Sequence, residues 1–182
     1  MESADLENML FGFLSTLDIQ TTTHRHTPVF TVSEAQALRA TSSIAMDGGH
    51  AKTLFLRDKR KQRALVVVDE NRQTNLKLLA PKIGLGRVSF GTPDSLQSLL
   101  GVTPGSVTPF SLVNAQVPEG SAPPLVVALD KSLMAQTCLW FHPLHNAATT
   151  AIAPDDLMLF IKACGYEPLV INMNLPGPNP KT

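Results

Sequence analysis

Residues 48–69 read GGHAKTLFLRDKRKQRALVVVD and contain two strand patterns on either side of a basic turn. The apolar runs at residues 54–58 and 64–69 are rich in aliphatic and β-branched side chains, which favour extended backbone. The segment between them is short, so the two strands are expected to pair as a hairpin. This stretch therefore predicts an antiparallel pair of strands.

Outside the hairpin, helix and strand patterns follow one another irregularly. Apolar residues at helical spacing predict a helix over 4–17, and Ser33 followed by Gln36 predicts a capping-box start to a helix over about 34–42. Further helices are expected over 76–83, 93–101 and 154–165, and further strands over 124–129, 137–142 and 168–173. Because regular βαβ alternation is lacking, the expected fold class is α+β, with a mixed, largely antiparallel sheet and no Rossmann-type unit.

Length and composition limit the class of protein further. The 182 residues are expected to form a single domain over 1–174, followed by a flexible, proline-rich tail over 175–182. No run of about 18 apolar residues occurs, so no membrane partner is expected. The N-terminal residues lack a cationic leader, and Cys138 and Cys164 match no metal or redox spacing. These features predict a cytoplasmic protein.

The charge distribution gives the first indication of a nucleic-acid partner. The formal net charge is zero, which is unusual for a protein that binds RNA, because phosphate contacts supply most of the affinity. Five basic residues nevertheless cluster at the hairpin turn, where Asp58 is the one acidic residue: Arg57, Lys59, Arg60, Lys61 and Arg63. Such a patch suits an enzyme that contacts RNA briefly; a solvated turn with no partner is the alternative.

The glycine pair Gly48 and Gly49, followed by Lys52, forms the first candidate site. Two glycines allow a tight turn and a close approach of backbone to a ligand. Lys52 is expected at the point where the strand over 54–58 is about to begin, and a lysine there can bind a phosphate or polarise a carbonyl. The alternative is an ordinary surface lysine beside a turn.

The segment from Gly101 to Phe110, GVTPGSVTPF, forms the second candidate site. Its glycines and prolines predict a rigid, non-helical loop after a helix. Such a loop can hold backbone N–H groups in the fixed position that an oxyanion or an ester carbonyl requires. A plain structural connector is the alternative.

His142, at the end of a predicted strand, forms the third candidate site. A histidine there can act as a general base, as a hydrogen-bonding gate of a pocket, or as a structural residue. His24 with His26, and His142 with His145, are also closely spaced, but no HExxH helix or nearby carboxylate completes a metal site. Neither a metal nor a cofactor is therefore expected, and no GxSxG or Walker motif is present.

Four sequence blocks occur in an order and at a spacing that resemble one family. They are GGHAKTLFLRDKRKQ (48–62), LGRVSFGTPDSL (85–96), LGVTPGSVTPFSL (100–112) and FHPLHNAATTAI (141–152). Together they resemble the YbaK/prolyl-tRNA-synthetase-associated superfamily over roughly residues 26–172. The free-standing alanyl-tRNA(Pro) deacylases, called ProX or PrdX, are the most similar branch.

The resemblance implies a barrel-like mixed sheet ringed by helices, and hydrolysis, without a metal, of the ester that joins a wrong amino acid to tRNA. It assigns catalytic roles to Lys52, Gly105 and His142. The expected substrate-binding residues are Thr53, Pro109, Phe141 and Asn146, and the basic cluster is expected to bind tRNA. The family usually has asparagine where this chain has Thr53, which leaves the fine substrate choice open.

The expected function is trans-editing of Ala-tRNA(Pro), with the acceptor end of tRNA(Pro) as partner and prolyl-tRNA synthetase as a further candidate partner. Missing methylenes are worth only about 1–3 kcal/mol in a synthetase pocket, so alanine is poorly rejected and a second, smaller sieve is useful. Three alternatives stay open. They are a deacylase for tRNA charged with Cys, Ser, Thr or 2-aminobutyrate, a non-catalytic module that binds tRNA or the synthetase, and a hydrolase of small esters or amides.

Overall fold

The computed structural model describes residues 3–173. The helices are Ser3–Thr16 (α1), Val32–Thr41 (α2), Leu76–Lys82 (α3), Pro93–Leu100 (α4), Lys131–Met134 (α5) and Pro154–Ala163 (α6), with a 3-10 helix over Pro109–Ala115. The strands are Thr22–Arg25 (β1), Gly49–Asp58 (β2), Arg63–Asp69 (β3), Val88–Phe90 (β4), Val126–Asp130 (β5), Leu139–Phe141 (β6), Ala148–Ile152 (β7) and Leu169–Ile171 (β8). The expected tail over 175–182 lies outside the described residues.

The strands form one sheet in the order β1-β7-β6-β2-β3-β5-β8, and β4 pairs with β2 beside this path. Four ladders are antiparallel, namely β1 with β7, β2 with β3, β2 with β4, and β6 with β7. Three are parallel, namely β2 with β6, β3 with β5, and β5 with β8. The prediction of an α+β fold with a mixed, largely antiparallel sheet is confirmed.

The predicted hairpin is present, but its first strand is longer than expected. β2 begins at Gly49, so Lys52 lies within the strand and the prediction that it precedes the strand is wrong. The reason is a long-range contact, because Gly49 is in register with Leu139 of β6 and Ala51 with Asp69 of β3. The local sequence of this half of the strand is polar and contains glycine, so its pattern does not reveal the pairing.

Asp58 shapes the turn between β2 and β3. Its carboxylate accepts hydrogen bonds from the backbone amides of Arg60 (2.8 Å), Gln62 (3.0 Å) and Gly86 (3.3 Å). Lys61 adopts the left-handed backbone conformation, with φ of 64°. The buried carboxylate thus organises the turn from inside, while the lysine side chains of the turn remain exposed.

The hydrophobic core is divided between the two faces of the sheet. Phe55 and Val67 contribute to the larger cluster, whereas Leu56 and Val66 belong to the smaller one, as expected for side chains that alternate along a strand. Phe110 is fully buried in the larger cluster and makes edge-to-face contacts with Phe141 and Phe160 at ring-centroid distances of 5.8 and 5.6 Å. This aromatic group anchors the end of β6 that leads to the candidate site.

Two local predictions are wrong. The capping box of α2 pairs Thr31 with Glu34, not Ser33 with Gln36, because the helix begins at Val32 and the carboxylate of Glu34 accepts the Thr31 backbone N–H. The segment predicted to stay non-helical up to Phe110 enters a 3-10 helix at Pro109, where the Thr108 side chain caps the first turn. No strand was predicted at β1, β4 or β7, because each is only three to five residues long and shows no clear alternating pattern.

Within residues 3–173, no helix combines the length and the apolar character that crossing a membrane requires.

Candidate active site

A cavity of about 220 Å³ opens beside the N-terminal half of β2. It is bounded by β2, by the end of β6, and by the segment that leads into α2. Its ionisable lining residues are Arg39, His50, Lys52, Glu70 and His142, and its aromatic ones are Phe30, Trp140 and Phe141. Thr53 and Gly105 also line it, and neither cysteine does. The structure therefore brings together five of the residues predicted for the site: Lys52, Thr53, Gly105, Phe141 and His142.

The Lys52 ammonium is held by two backbone carbonyls. Its Nζ donates to the carbonyl oxygens of Glu70 at 3.1 Å and Arg72 at 2.6 Å, both in the segment that follows β3. The Arg72 side chain in turn donates its Nε–H to the buried carboxylate of Asp130 at 2.7 Å. Two of the three ammonium protons thus donate to backbone carbonyls. These bonds fix the position of the charge and leave one donor for a ligand.

An ion pair that sequence reasoning missed lies against Lys52. Arg39 of α2 contacts Glu70, whose carboxylate also accepts a hydrogen bond from Gln36 Nε2 at 3.2 Å. Glu70 is buried and its charge is matched by Arg39, so the Lys52 ammonium remains as the uncompensated positive charge of the cavity wall. The position of Glu70 directly after a buried strand was the available signal, but nothing local pointed to Arg39.

His142 is a neutral imidazole with a defined tautomer. Its Nδ1 donates to the carbonyl oxygen of Ala148 at 2.9 Å, so Nε2 carries a lone pair. Burial lowers the pKa of His142 below its ordinary value, and the neighbouring His26 and His145 lower it further. The ring is therefore an acceptor of hydrogen bonds, not a cation, near neutral pH.

Trp140 and His50 form one aromatic part of the wall, and His24, which does not line the cavity, stacks on Trp140. The Trp140 ring stacks on His24 at a centroid distance of 5.5 Å and on His50 at 6.2 Å, and its Nε1 donates to the Asp47 carbonyl oxygen at 2.8 Å. Burial is the main reason that the pKa of His50 is lowered. The stacked rings give a rigid wall, and sequence reasoning had singled out none of them for this role.

Gly105 contributes main chain, whereas two other predicted residues lie away from the cavity lining. Gly105 has a φ of 91°, a conformation that glycine adopts without strain, and it is solvent-exposed. Pro109 is buried at the start of the 3-10 helix. The main-chain carbonyl of Asn146, two residues before β7, accepts the Val29 backbone N–H at 3.1 Å. This bond ties the turn before β7 to the segment before α2. Both support the site without lining it.

The basic cluster lies at the far end of β2 from the cavity. Lys59 lies seven positions after Lys52, which corresponds to roughly 23 Å along a strand at about 3.3 Å per residue. These side chains cannot contact a group bound in the cavity. Their role, if they bind tRNA, is with a part of the molecule remote from its 3′ end.

The predicted histidine pairs make other contacts. His26 hydrogen-bonds the Thr149 hydroxyl through Nε2 at 2.8 Å, and its Nδ1 lies 2.8 Å from the Thr27 carbonyl oxygen. His145 lies 3.4 Å from the carboxylate of Glu7, which also binds Arg25. Over the described part of the chain, no three His, Cys, Asp or Glu side chains are grouped so that they could hold a metal ion.

This arrangement is suited to hydrolysis of a polarised ester. It offers a fixed ammonium at Lys52, a neutral imidazole at His142, and the main-chain N–H of Gly105, which hydrogen-bonds no other residue of the segment 3–173. The cavity lining contains threonine hydroxyls but no cysteine. Positioning of water and stabilisation of charge are chemistry that these groups can supply without a covalent nucleophile.

Comparison with known proteins identifies the family. Residues 26–160 match the sequence pattern of the aminoacyl-tRNA editing domain. The prolyl-tRNA editing protein ProX of Acetoanaerobium sticklandii is 35% identical over 162 residues, covering 88% of this chain and 93% of that protein. Prolyl-tRNA synthetase associated domain-containing protein 1 of Mus musculus is 32% identical over 179 residues, covering 96% of this chain and 100% of the mouse protein.

The solved structures agree at the level of the fold. A crystal structure of a proposed trans-editing enzyme for prolyl tRNA synthetase superposes with a TM-score of 0.63 at 18% identity, over 92% of this chain and 96% of that one. The family resemblance expected from the four sequence blocks is confirmed by these matches. The chain therefore belongs to the aminoacyl-tRNA editing domain family, and its activity class is that of an aminoacyl-tRNA deacylase.

Proposed function

We propose that the protein edits in trans, by hydrolysing the ester of alanine mischarged on tRNA(Pro). The observation that carries the proposal is the small cavity in which Lys52 is fixed by two carbonyls beside the neutral His142. A volume of about 220 Å³ lies below the roughly 300–1,000 Å³ of typical ligand pockets. A small aminoacyl group suits a cavity of this size.

The proposed reaction needs only water as co-substrate. Water adds to the ester carbonyl carbon, the tetrahedral intermediate collapses, and the bond between that carbon and the ribose oxygen breaks. The ribose oxygen takes a proton, so the products are free alanine and the 3′-terminal hydroxyl of tRNA. We assign the Lys52 ammonium to the terminal phosphate or the ester carbonyl, and the Gly105 N–H to the developing oxyanion. The substrate's own ribose hydroxyl or amino group, helped by polar atoms of the cavity, holds the water.

The choice of alanine rests on size exclusion. Phe141 is packed against the fully buried Phe110, and His142 is held by Ala148, so neither side chain can move aside cheaply for a larger residue. The protein would then reject proline by exclusion and accept alanine, which complements the synthetase pocket. Cysteine and serine are close to alanine in size, so they remain the main alternatives. Prolyl-tRNA synthetase is a proposed partner because it produces the mischarged substrate.

A panel of charged tRNAs tests the proposal directly. We expect wild-type protein to release alanine from Ala-tRNA(Pro) with a kcat/KM at least about 100-fold above that for Pro-tRNA(Pro), since a rigid wall that excludes a side chain discriminates more strongly than a missing methylene. Release of radiolabelled amino acid is the measurement, with Cys-, Ser- and Thr-tRNA(Pro) assayed in parallel. Faster release of one of these three would move the substrate within the class. Release of no amino acid from any tRNA of the panel, alanine included, would contradict the proposal.

The basic cluster is proposed to contact the phosphates of the acceptor stem. A separation of roughly 23 Å from Lys52 equals about seven nucleotides of stacked strand at about 3.4 Å each, so the cluster would lie beyond the unpaired 3′ end, beside the first base pairs of the stem. Each phosphate contact adds about 0.9 to the slope of log affinity against log salt. A neutral protein with few such contacts would bind tRNA weakly and release it readily.

Replacing Lys59 and Lys61 by glutamine is expected to lower kcat/KM for Ala-tRNA(Pro) and to flatten its dependence on log salt by about two units of slope. Hydrolysis of a short alanyl substrate that keeps only the unpaired 3′ end and no base pair is expected to change little. Lys162→Gln removes an exposed charge on α6 and serves as the control. An unchanged salt slope in the double variant would rule out this role for the turn.

A further inference from the structure

One edge of β2 is unpaired where it passes the cavity. β6 pairs with this edge only at Gly49 and His50, and β4 pairs with the same edge only from Leu56 to Asp58. The Gly91 N–H extends the second contact to the Phe55 carbonyl at 2.9 Å. The edge is therefore open over residues 51–54, between two strands that cover it on either side.

The hydrogen bonds of β2 show which backbone groups point into this gap. The Glu70 N–H donates to the His50 carbonyl at 2.9 Å and the Asp58 N–H donates to the Gln62 carbonyl at 3.0 Å, so even-numbered residues bond toward β3. Gly49 instead donates to the Cys138 carbonyl at 2.8 Å, so odd-numbered residues point to the other edge. By this alternation the Thr53 N–H and C=O and the Ala51 C=O face the gap.

The lining of the cavity supports the same conclusion independently. Ala51, Lys52 and Thr53 all line it, although successive side chains of a strand point to opposite faces. Three consecutive residues can border one cavity only if the cavity abuts the edge of the strand. The open backbone groups of β2 therefore form part of the cavity wall.

The chain itself does not close the gap. β6 ends at Phe141, and the chain then turns, because the Leu144 N–H donates to the His142 carbonyl at 3.0 Å. The His142 carbonyl and the Leu144 N–H, which a longer β6 would present to Thr53, are therefore bonded to each other. In the part of the chain that the structure describes, the Thr53 N–H has no hydrogen-bond acceptor. An open donor inside a concave site requires either water or a ligand.

We propose that this edge binds the main-chain atoms of the aminoacyl group as a one-residue strand, with the Thr53 N–H donating to the ester carbonyl and the Ala51 C=O accepting from the α-ammonium. The inference rests on the proposed deacylase function and deepens it. An aminoacyl ester carries a donor nitrogen and an acceptor carbonyl at the spacing of one peptide residue, which matches the pattern that a parallel strand such as β6 presents.

This mode of binding separates recognition of the amino acid from selection of its side chain. The backbone edge binds atoms that all α-amino acids share, so selection falls to the neighbouring walls at Phe141 and His142. It also gives the ester carbonyl a second donor besides the Gly105 N–H, as stabilisation of an oxyanion favours. The threonine at position 53, where the family usually has asparagine, leaves the main-chain donor unchanged.

The test uses 3′-deoxy-3′-alanylamido-adenosine, a stable amide analogue of the alanyl ester, with ¹⁵N-labelled wild-type protein. In the free protein, the Thr53 amide is expected to exchange with solvent at least about 100-fold faster than the Lys52 and Leu54 amides, which bond to β3. Saturating analogue should slow exchange at Thr53 at least about tenfold and shift its resonance downfield. The control probe, 3′-amino-3′-deoxyadenosine, lacks the aminoacyl group and should leave Thr53 unchanged.

The outcomes separate this inference from the function on which it rests. If the alanyl analogue perturbs His142 but not the Thr53 amide, the edge does not bind the aminoacyl group, although the deacylase function stands. If wild-type protein does not hydrolyse any aminoacyl-tRNA of the panel, both the deacylase function and the binding of the aminoacyl group at this edge are wrong. Two variants test the same point. Thr53→Pro removes the N–H and Thr53→Val retains it, so the kcat/KM of Thr53→Pro should be at least about tenfold lower than that of Thr53→Val. Equal losses in two folded variants would overturn the assignment.

Discussion

Replacement of Lys52 by methionine will lower kcat/KM for Ala-tRNA(Pro) by at least about 100-fold, which corresponds to about 3 kcal/mol of transition-state stabilisation. Methionine keeps an unbranched apolar stem only one heavy atom shorter than lysine, and it removes the charge and the donors. The ammonium is the uncompensated positive charge of the cavity wall, because Arg39 is paired with Glu70. Its loss removes the group available for the phosphate or the ester carbonyl.

The same substitution also removes a structural contact, so the two effects must be separated. The Glu70 and Arg72 carbonyls lose their shared donor, at a cost of about 1–3 kcal/mol in stability if no water replaces it. Lys82→Met is the matched control, since Lys82 likewise donates to a backbone carbonyl, that of Asn172 at 3.2 Å, but lies outside the cavity lining. Urea unfolding of both variants, alongside single-turnover deacylation, measures each effect.

The assignment of Lys52 would be contradicted by either of two results. A folded Lys52→Met protein with nearly wild-type deacylation would show that the ammonium is only a structural tie for the segment after β3. A loss of activity that matched the unfolded fraction at the assay temperature would lead to the same conclusion. Recovery of part of the activity in Lys52→Arg would indicate that positive charge is what the substrate requires.

Local signals were sufficient for several elements of the fold. The helices expected over 76–83 and 93–101 are present as α3 and α4, where Asn75 caps α3 through its side chain and Thr92 followed by Pro93 begins α4. The hairpin of β2 and β3 was predictable because its apolar runs flank a short polar turn. These features depend on neighbours within a few residues, where propensity and capping dominate.

The remaining features depend on contacts between distant residues. The extension of β2 back to Gly49 is set by β6, some ninety residues away. Lys52 was recognisable from its sequence block, but the carbonyls that hold it and the pairing of Arg39 with Glu70 were not. Pro109 was expected at the substrate; it is buried at the start of a 3-10 helix and lies outside the cavity lining. Motifs thus predicted several residues that line the cavity, but not the contacts that hold them in place.

Asp130 connects the stability of the fold to the geometry of the site. Its side chain is almost fully buried and accepts hydrogen bonds from Arg72 Nε at 2.7 Å, from the Ser132 N–H at 3.0 Å and from the Ser132 hydroxyl at 2.8 Å. It is therefore both the N-cap of α5 and the partner of the arginine whose carbonyl holds Lys52. A change at this position should affect unfolding and catalysis together.

Replacing Asp130 by alanine is expected to destabilise the protein by about 3–5 kcal/mol, because it removes one partner of a buried ion pair and the N-cap as well. Urea unfolding gives this value. Asp130→Asn should retain the cap, since asparagine caps helices as well as aspartate, and it should lose mainly the ion pair with Arg72. Glu167→Ala, which breaks the exposed pair with Lys162, is the control and should cost no more than about 1 kcal/mol.

The catalytic consequence distinguishes Asp130 from an ordinary buried residue. With Asp130→Asn in the folded state, the segment around Arg72 is less restrained, and the Lys52 ammonium is displaced from its two carbonyls in part of the population. We expect kcat for Ala-tRNA(Pro) to fall by about tenfold, in line with the cost of misplacing a catalytic group, while an alanyl analogue still binds. If Asp130→Asn were destabilised as expected but kept wild-type kcat, Lys52 would be held by its carbonyls without help from the Arg72 ion pair. That result would confine Asp130 to a role in stability.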